Sequence, residues 1–221
     1  MFLVNGPAVH TFAIFVKNSG MGFKKINEKV EQALVQRNWQ EPIEKQKAFF
    51  SAVKSGRHVV YQDEKGKGKS TGLLIAAMHQ LKMQPEGDNA RLLIFAPDKE
   101  TVLKLVEAYQ DFAEDEELRI FPVFEGPALN KQRDLIYPGA DIVIGTPRSI
   151  VKLYFHNGLN LMSCKIVAVD DAHEMTNLNW HTEVQRIMES LPKAQRILIE
   201  EKPTTKTKQL VEVCFEASQK V

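Results

Sequence analysis

Net charge is what this sequence has least of. Its 29 Lys and Arg stand against 28 Asp and Glu, a formal net charge of +1 over 221 residues. That balance excludes a global electrostatic footprint for nucleic acid, so any such surface has to be local. Cysteine is nearly absent too. Cys164 and Cys214 show no metal-ligand spacing and cannot build a disulfide framework, so a reducing cytoplasm is the expected setting. No apolar run is long enough to span a bilayer. The apolar stretch over residues 1–16 is interrupted by Asn5, Pro7 and His10, and no basic residue precedes it. It therefore reads neither as a membrane span nor as a secretory signal. Repeats and low-complexity tracts are also missing. What is present is an ordinary globular composition, 43% hydrophobic and 26% charged, at a length that fits one domain. Residues 1–20 read as an extension and residues 21–221 as a single domain. Within the extension, Phe12-Ala13-Ile14-Phe15-Val16 needs cover or becomes an aggregation-prone strand.

Apolar periodicity divides the chain into alternating elements. Phe23, Ile26, Val30, Ala33 and Leu34 recur at helical spacing, and a second helix is expected over Glu44–Lys54, ending at Gly56. Strands are expected at His58–Gln62, Arg91–Ala96, Arg119–Phe124, Asp141–Gly145, Lys165–Val169 and Arg196–Glu200. Helices are expected at Lys69–Met83, Lys99–Phe112, Ala128–Ile136, Ser149–Phe155, Thr182–Leu191 and Thr207–Ser218. Continuous apolar strands alternating with helices imply an α/β fold, a mostly parallel sheet covered on both faces. Such a sheet places ligands at the carboxyl ends of its strands.

Two strand ends carry marked residues. After Val59-Val60-Tyr61 comes Asp63-Glu64-Lys65-Gly66-Lys67-Gly68-Lys69-Ser70-Thr71, followed by an apolar helical run. Strand, Gly-rich turn and helix make this a P-loop. Gly66, Lys67 and Gly68 would turn backbone N–H groups toward a triphosphate at the helix N-terminus. Lys69 would reach the phosphates, Ser70 would ligate Mg2+, and Thr71 completes the cradle. A Lys/Gly-rich surface turn is the alternative, against which the flanking strand and helix weigh. The first position of the motif is Asp63 instead of Gly, with Glu64 behind it. A like-charge pair at about 4 Å costs roughly 4 kcal/mol at an effective dielectric of about 20, which three neighbouring lysines offset. The second strand end is Ile166-Val167-Ala168-Val169-Asp170-Asp171-Ala172-His173, where Asp170 is placed to hold the magnesium shell.

These segments, in this order, resemble the first RecA-like domain of the DEAD-box RNA helicases from about Phe23 to Thr204. The resemblance implies a RecA-like P-loop fold with ATP and Mg2+ as cofactors. Gln46, twenty-three residues before Lys69, takes the place of the family's adenine-reading glutamine, whose amide pairs bidentately with adenine. Phe23 takes that of an upstream aromatic stacking on the base. Asp170 and Asp171 fall on the catalytic carboxylates. Ala96-Pro97-Asp98-Lys99-Glu100 and Asp141-Ile142-Val143-Ile144-Gly145-Thr146-Pro147-Arg148 match segments that contact the RNA backbone, which implies RNA contacts at Pro97, Lys99, Thr146 and Arg148.

The departures from the family pattern fall on function. Asp171 stands where the family has a water-activating Glu, one methylene longer. A displacement of about 1 Å can cost on the order of a hundredfold in rate. Glu200-Glu201-Lys202 replaces Ser-Ala-Thr, whose hydroxyls link nucleotide to strand separation in the family. Asp98 replaces a Thr near phosphate, Gly126-Pro127 a Gly pair, and Arg148-Ser149 a Gly-Arg pair. The sequence stops where the family's second RecA-like domain would begin; without that domain the arginine fingers it supplies, worth roughly a thousandfold or more, would be lacking. The expected function is ATP binding with weak RNA binding and little hydrolysis or unwinding by the chain alone. The alternatives are an active half completed by a second RecA-like domain or protein partner, and a nucleotide-free scaffold.

Overall fold

Short runs of aliphatic residues make the strands in the computed structural model, which describes residues 22–39 and 41–221. The expected extension lies outside the described residues. The strands are β1 (Val59–Gln62), β2 (Leu92–Phe95), β3 (Ile120–Val123), β4 (Ile142–Gly145), β5 (Ile166–Val169), β6 (Gln195–Glu200) and β7 (Gln219–Lys220). They form one sheet in the order β3-β4-β2-β5-β6-β1-β7, and every described pairing is parallel. Parallel strands need crossovers, and helices supply them. These are α1 (Glu28–Gln36), α2 (Glu44–Lys54), α3 (Lys69–Leu81), α4 (Lys99–Phe112), α5 (Leu129–Ile136), α6 (Pro147–Phe155), α7 (Trp180–Ser190) and α8 (Thr205–Cys214), with a 3-10 turn at Ala172–Glu174.

The period of two along each strand sorts the core into two layers. Val59, Tyr61, Leu92, Ile94, Ile166, Ala168, Ile197 and Ile199 pack with α1 to α4. Val60, Leu93, Phe95, Val143, Val167, Val169 and Leu198 pack with α6, α7 and α8. Each fully buried aliphatic side chain contributes about 1.5–3 kcal/mol, and the two layers together hold the sheet against its helices.

Three expectations need correction. Phe23 and Ile26 precede α1, because Asn27 caps the helix by accepting the Lys29 N–H at 3.1 Å. The last helix starts earlier and ends at Cys214, since Thr204 and Thr207 bond reciprocally across its first turn. Residues 215–218, expected to finish that helix, turn instead, and Gln219–Lys220 beyond them form β7 alongside β1.

Asp141 lies at the opposite end of the sheet from the marked strand ends. It is fully buried, with Arg91 Nη2 at 2.8 Å on one oxygen and Arg119 Nε at 2.9 Å on the other. Backbone N–H groups of Glu86 and Arg119 donate to it as well, each at 3.1 Å. Burial opposes its ionisation, yet these donors hold its carboxyl below the usual range. Asp141 is therefore a structural anchor at the base of β4, remote from any RNA contact at Thr146.

Candidate functional site

The carboxyl ends of β1, β2, β4, β5 and β6 bring the marked residues to one edge of the sheet. The loop after β1 turns through Gly66 and Gly68, with φ of +80° and +70°. Only glycine adopts these angles without strain. A Cβ at Gly66 would meet open space, whereas one at Gly68 would lie 2.5 Å from Gln46 Nε2. Lys69 is almost fully buried and donates to the Asp63 and Glu64 carbonyls, each at 2.8 Å. The Asp63 carboxylate accepts the Glu64 N–H at 2.9 Å and pairs with Lys45 Nζ at 3.3 Å. The charge penalty anticipated from Asp63 is thereby met locally, through a partner eighteen residues upstream.

Ser70 opens α3 and donates its hydroxyl to Asp170 Oδ1 at 3.1 Å. Asp170 is fully buried, and Oδ2 has no hydrogen-bond partner among the described residues. Burial first, and the Asp171 carboxylate second, push the Asp170 carboxyl up to about 7, against the Ser70 hydroxyl, the Asp171 N–H and the Lys69 charge. Asp171 itself is left-handed, φ +46° and ψ +47°, at the entry to the 3-10 turn. His173 follows with Nδ1 accepting the Glu201 N–H at 3.2 Å. A backbone N–H after β6 bonded to a side chain after β5 thus joins the two strand ends where the family's hydroxyls were expected and are missing.

Gln46 sits beside the loop, not on a solvated helix face. Its Nε2 donates to the Gly68 carbonyl at 3.1 Å, and its Oε1 accepts the Ile43 N–H at 3.1 Å, capping α2. One amide N–H and one lone pair remain free for a further partner. A cavity of about 350 Å³ opens here, lined by Phe23, Trp39, Pro42, Gln46, Gly68 and Thr71 among others. Phe23 lines it but is largely buried against Phe50, with ring centroids 4.7 Å apart. Trp39, which the sequence reading missed, is half-buried in the same wall. Its signal was an aromatic seven residues before Gln46 in an otherwise polar stretch. A second cavity of about 720 Å³ adjoins the first at Gly66, Gly68 and Thr71, and holds Lys69, Ser70, Pro97, Asp171 and His173 in its wall. Lys67 lines the first cavity only. The Lys69 charge favours the ionised form of Asp170, which does not itself line this cavity.

Pro97 and Lys99 open α4, and Thr146 and Arg148 open α6, on the neighbouring strands β2 and β4. Asp98 spends its carboxylate capping α4, accepting the Thr101 N–H at 2.8 Å. The Thr146 hydroxyl is taken, donating to Glu125 Oε2 at 2.8 Å. Lys99 lies over the Phe124 ring at 5.0 Å, and Arg148 is exposed. Among the described residues no group of three or more His, Cys, Asp or Glu is placed to hold a metal, and no helix is long and apolar enough to cross a membrane.

Comparison with known proteins points the same way. The family model of the DEAD/DEAH box helicases matches residues 43–200. The ATP-dependent RNA helicase dbp10 of Schizosaccharomyces pombe is 26% identical over 79% of this chain and 20% of its own length. The RNA helicase CrhR of Synechocystis is 29% identical over 76% of this chain and 33% of its own length. The chain thus spans a third or less of these relatives. The crystal structure of a DEAD box protein from Methanococcus jannaschii superposes with a TM-score of 0.81 at 19% identity, covering 89% of this chain and 54% of that one. A hypothetical ATP-dependent RNA helicase of Sulfolobus tokodaii gives 0.77 at 20% identity, covering 88% and 56%. These two show the fold. With the family model matched over most of its length, the chain belongs to the DEAD/DEAH box helicase family.

Proposed function

We propose that the chain is an ATP-binding RecA-like domain that hydrolyses little ATP alone and touches RNA weakly. The carrying observation is the Ser70–Asp170 pair, 3.1 Å apart, with Asp170 Oδ2 buried and unpartnered beside a glycine-turned loop. A buried carboxylate oxygen without a donor suits a divalent cation better than a solvated strand end. The residues therefore fit Mg-ATP, which when bound would supply the transferable phosphoryl group and the charge that neutralises Asp170. Gln46 reads the base edge with its free N–H and lone pair, and Trp39 and Phe23 wall the pocket. Gly66, Lys67, Gly68 and Thr71 present backbone N–H groups, and Lys69 exchanges its two loop carbonyls for phosphate oxygens.

Asp171 is the residue to activate water, and its shorter arm starts from a left-handed backbone. The missing methylene would leave its carboxylate about 1 Å short of where a Glu would reach. Lys99 and Arg148 supply the remaining cations for a phosphate backbone, while Asp98 and Glu125 oppose it. A second RecA-like domain, from a longer chain or a partner, would complete the transition-state charge. Phosphate release from Mg-ATP by the 221-residue chain, with and without single-stranded RNA, tests this. Slow turnover, barely changed by RNA, is expected; rapid RNA-stimulated turnover would show a self-sufficient ATPase and overturn the proposal.

A further inference from the structure

Two departures from the family pattern that lie far apart in sequence meet in one groove. Asp63-Glu64 follow β1 and Glu200-Glu201 end β6, and these strands are neighbours with Gln62 opposite Glu200. The Asp63 N–H donates to the Glu200 carbonyl at 3.3 Å. All four residues line a cavity of about 780 Å³, and Glu212 of α8 adds a fifth carboxylate. Three lysines share the lining, but Lys45 is already committed to Asp63.

The deepest carboxylate is the informative one. Glu200 is 3% exposed, and its Oε2 finds no hydrogen-bond partner among the described residues. Burial pushes its carboxyl upward, with the Thr207 hydroxyl and the His173 and Lys208 charges opposing. An orphaned carboxylate oxygen beneath an acidic rim lacks a donor. Phosphate is repelled there. A metal ion is disfavoured, since among the described residues no three of these carboxylates are placed to hold one.

We propose that this groove receives an arginine-bearing segment of a protein partner, one guanidinium donating to Glu200 while the rim carboxylates hold flanking cations. Arginine suits the floor better than lysine, since its planar fork is weakly hydrated and can satisfy both oxygens of one carboxylate. The assignment stands whether or not the chain binds ATP. It also gives the paired substitutions at β1 and β6 a common purpose, where each alone reads as decay.

Calorimetric titration of the whole chain with a tetra-arginine peptide, and with tetra-lysine at the same ionic strength, is the test. Tetra-arginine should bind more tightly, and Glu200→Gln should weaken it by about tenfold or more. Glu212→Gln on the rim should weaken it about threefold, which keeps the test intact should Glu200→Gln disturb folding. Glu107→Gln, on the exposed face of α4, should leave it unchanged. No binding at millimolar peptide would overturn the proposal. So would equal affinity for the two peptides, or equal effects of the groove variants and Glu107→Gln.

Discussion

Asp170 pays for its position. A carboxyl raised to about 7 in the folded state, from an ordinary value near 3.9, favours folding only while protonated. That contribution is fully present below about pH 4 and is lost as the pH rises through about 7. Asp170→Asn should therefore raise the melting temperature at pH 8, by the equivalent of about 2–4 kcal/mol, and the gain should vanish near pH 4. Thermal unfolding of the two proteins across that range checks it; a variant less stable at pH 8 would refute it. The same ionisation predicts that magnesium-dependent nucleotide affinity weakens below about pH 7. Gln46→Ala removes the acceptor that caps α2 and the donor to Gly68, so a stability loss of about 1 kcal/mol is expected in denaturant titration. Its larger effect should fall on base choice, with the preference for ATP over GTP shrinking by about 1–3 kcal/mol.

Among the elements, the base of the sheet is held by ions and the functional edge by loops. Asp141→Ala would remove the one buried carboxylate on Arg91, leaving the exposed Glu86 as its ionic partner, and urea unfolding should show a loss of about 3 kcal/mol. An unchanged midpoint would mean the Arg91–Asp141–Arg119 cluster is solvated. The elements themselves were legible where pattern is local. β1, β2, β4, β5 and β6 are apolar runs, and α4 is bounded by Asp98 in front and by the end of its apolar period. β7 was not legible, because a two-residue polar strand carries no alternation and exists only through β1 beside it. Glycines 66 and 68, Lys69 and Asp170 could be read because strand, turn and helix spacing is a local signal. The pairing of Asp63 with Lys45, of Thr146 with Glu125, and the meeting of Asp63 with Glu200 could not. Each depends on which strands become neighbours, which sequence order alone does not reveal.

For the whole molecule, a formal charge of +1 means that the proposed RNA affinity would rest on a few local cations. Lys99→Ala and Arg148→Ala should each weaken binding of single-stranded RNA a few-fold, irrespective of sequence. Each should also lower the slope of log affinity against log salt by about 0.7. Variants with unaltered slopes would move the RNA face elsewhere. Calorimetric titration with Mg-ATP, Mg-GTP and the Lys69→Ala variant bears most directly on the central claim, an adenine-specific site built on Gln46, Lys69, Ser70 and Asp170. The account predicts heat with Mg-ATP alone, abolished in Lys69→Ala; no heat at millimolar Mg-ATP, or equal heat from Mg-GTP, would contradict it.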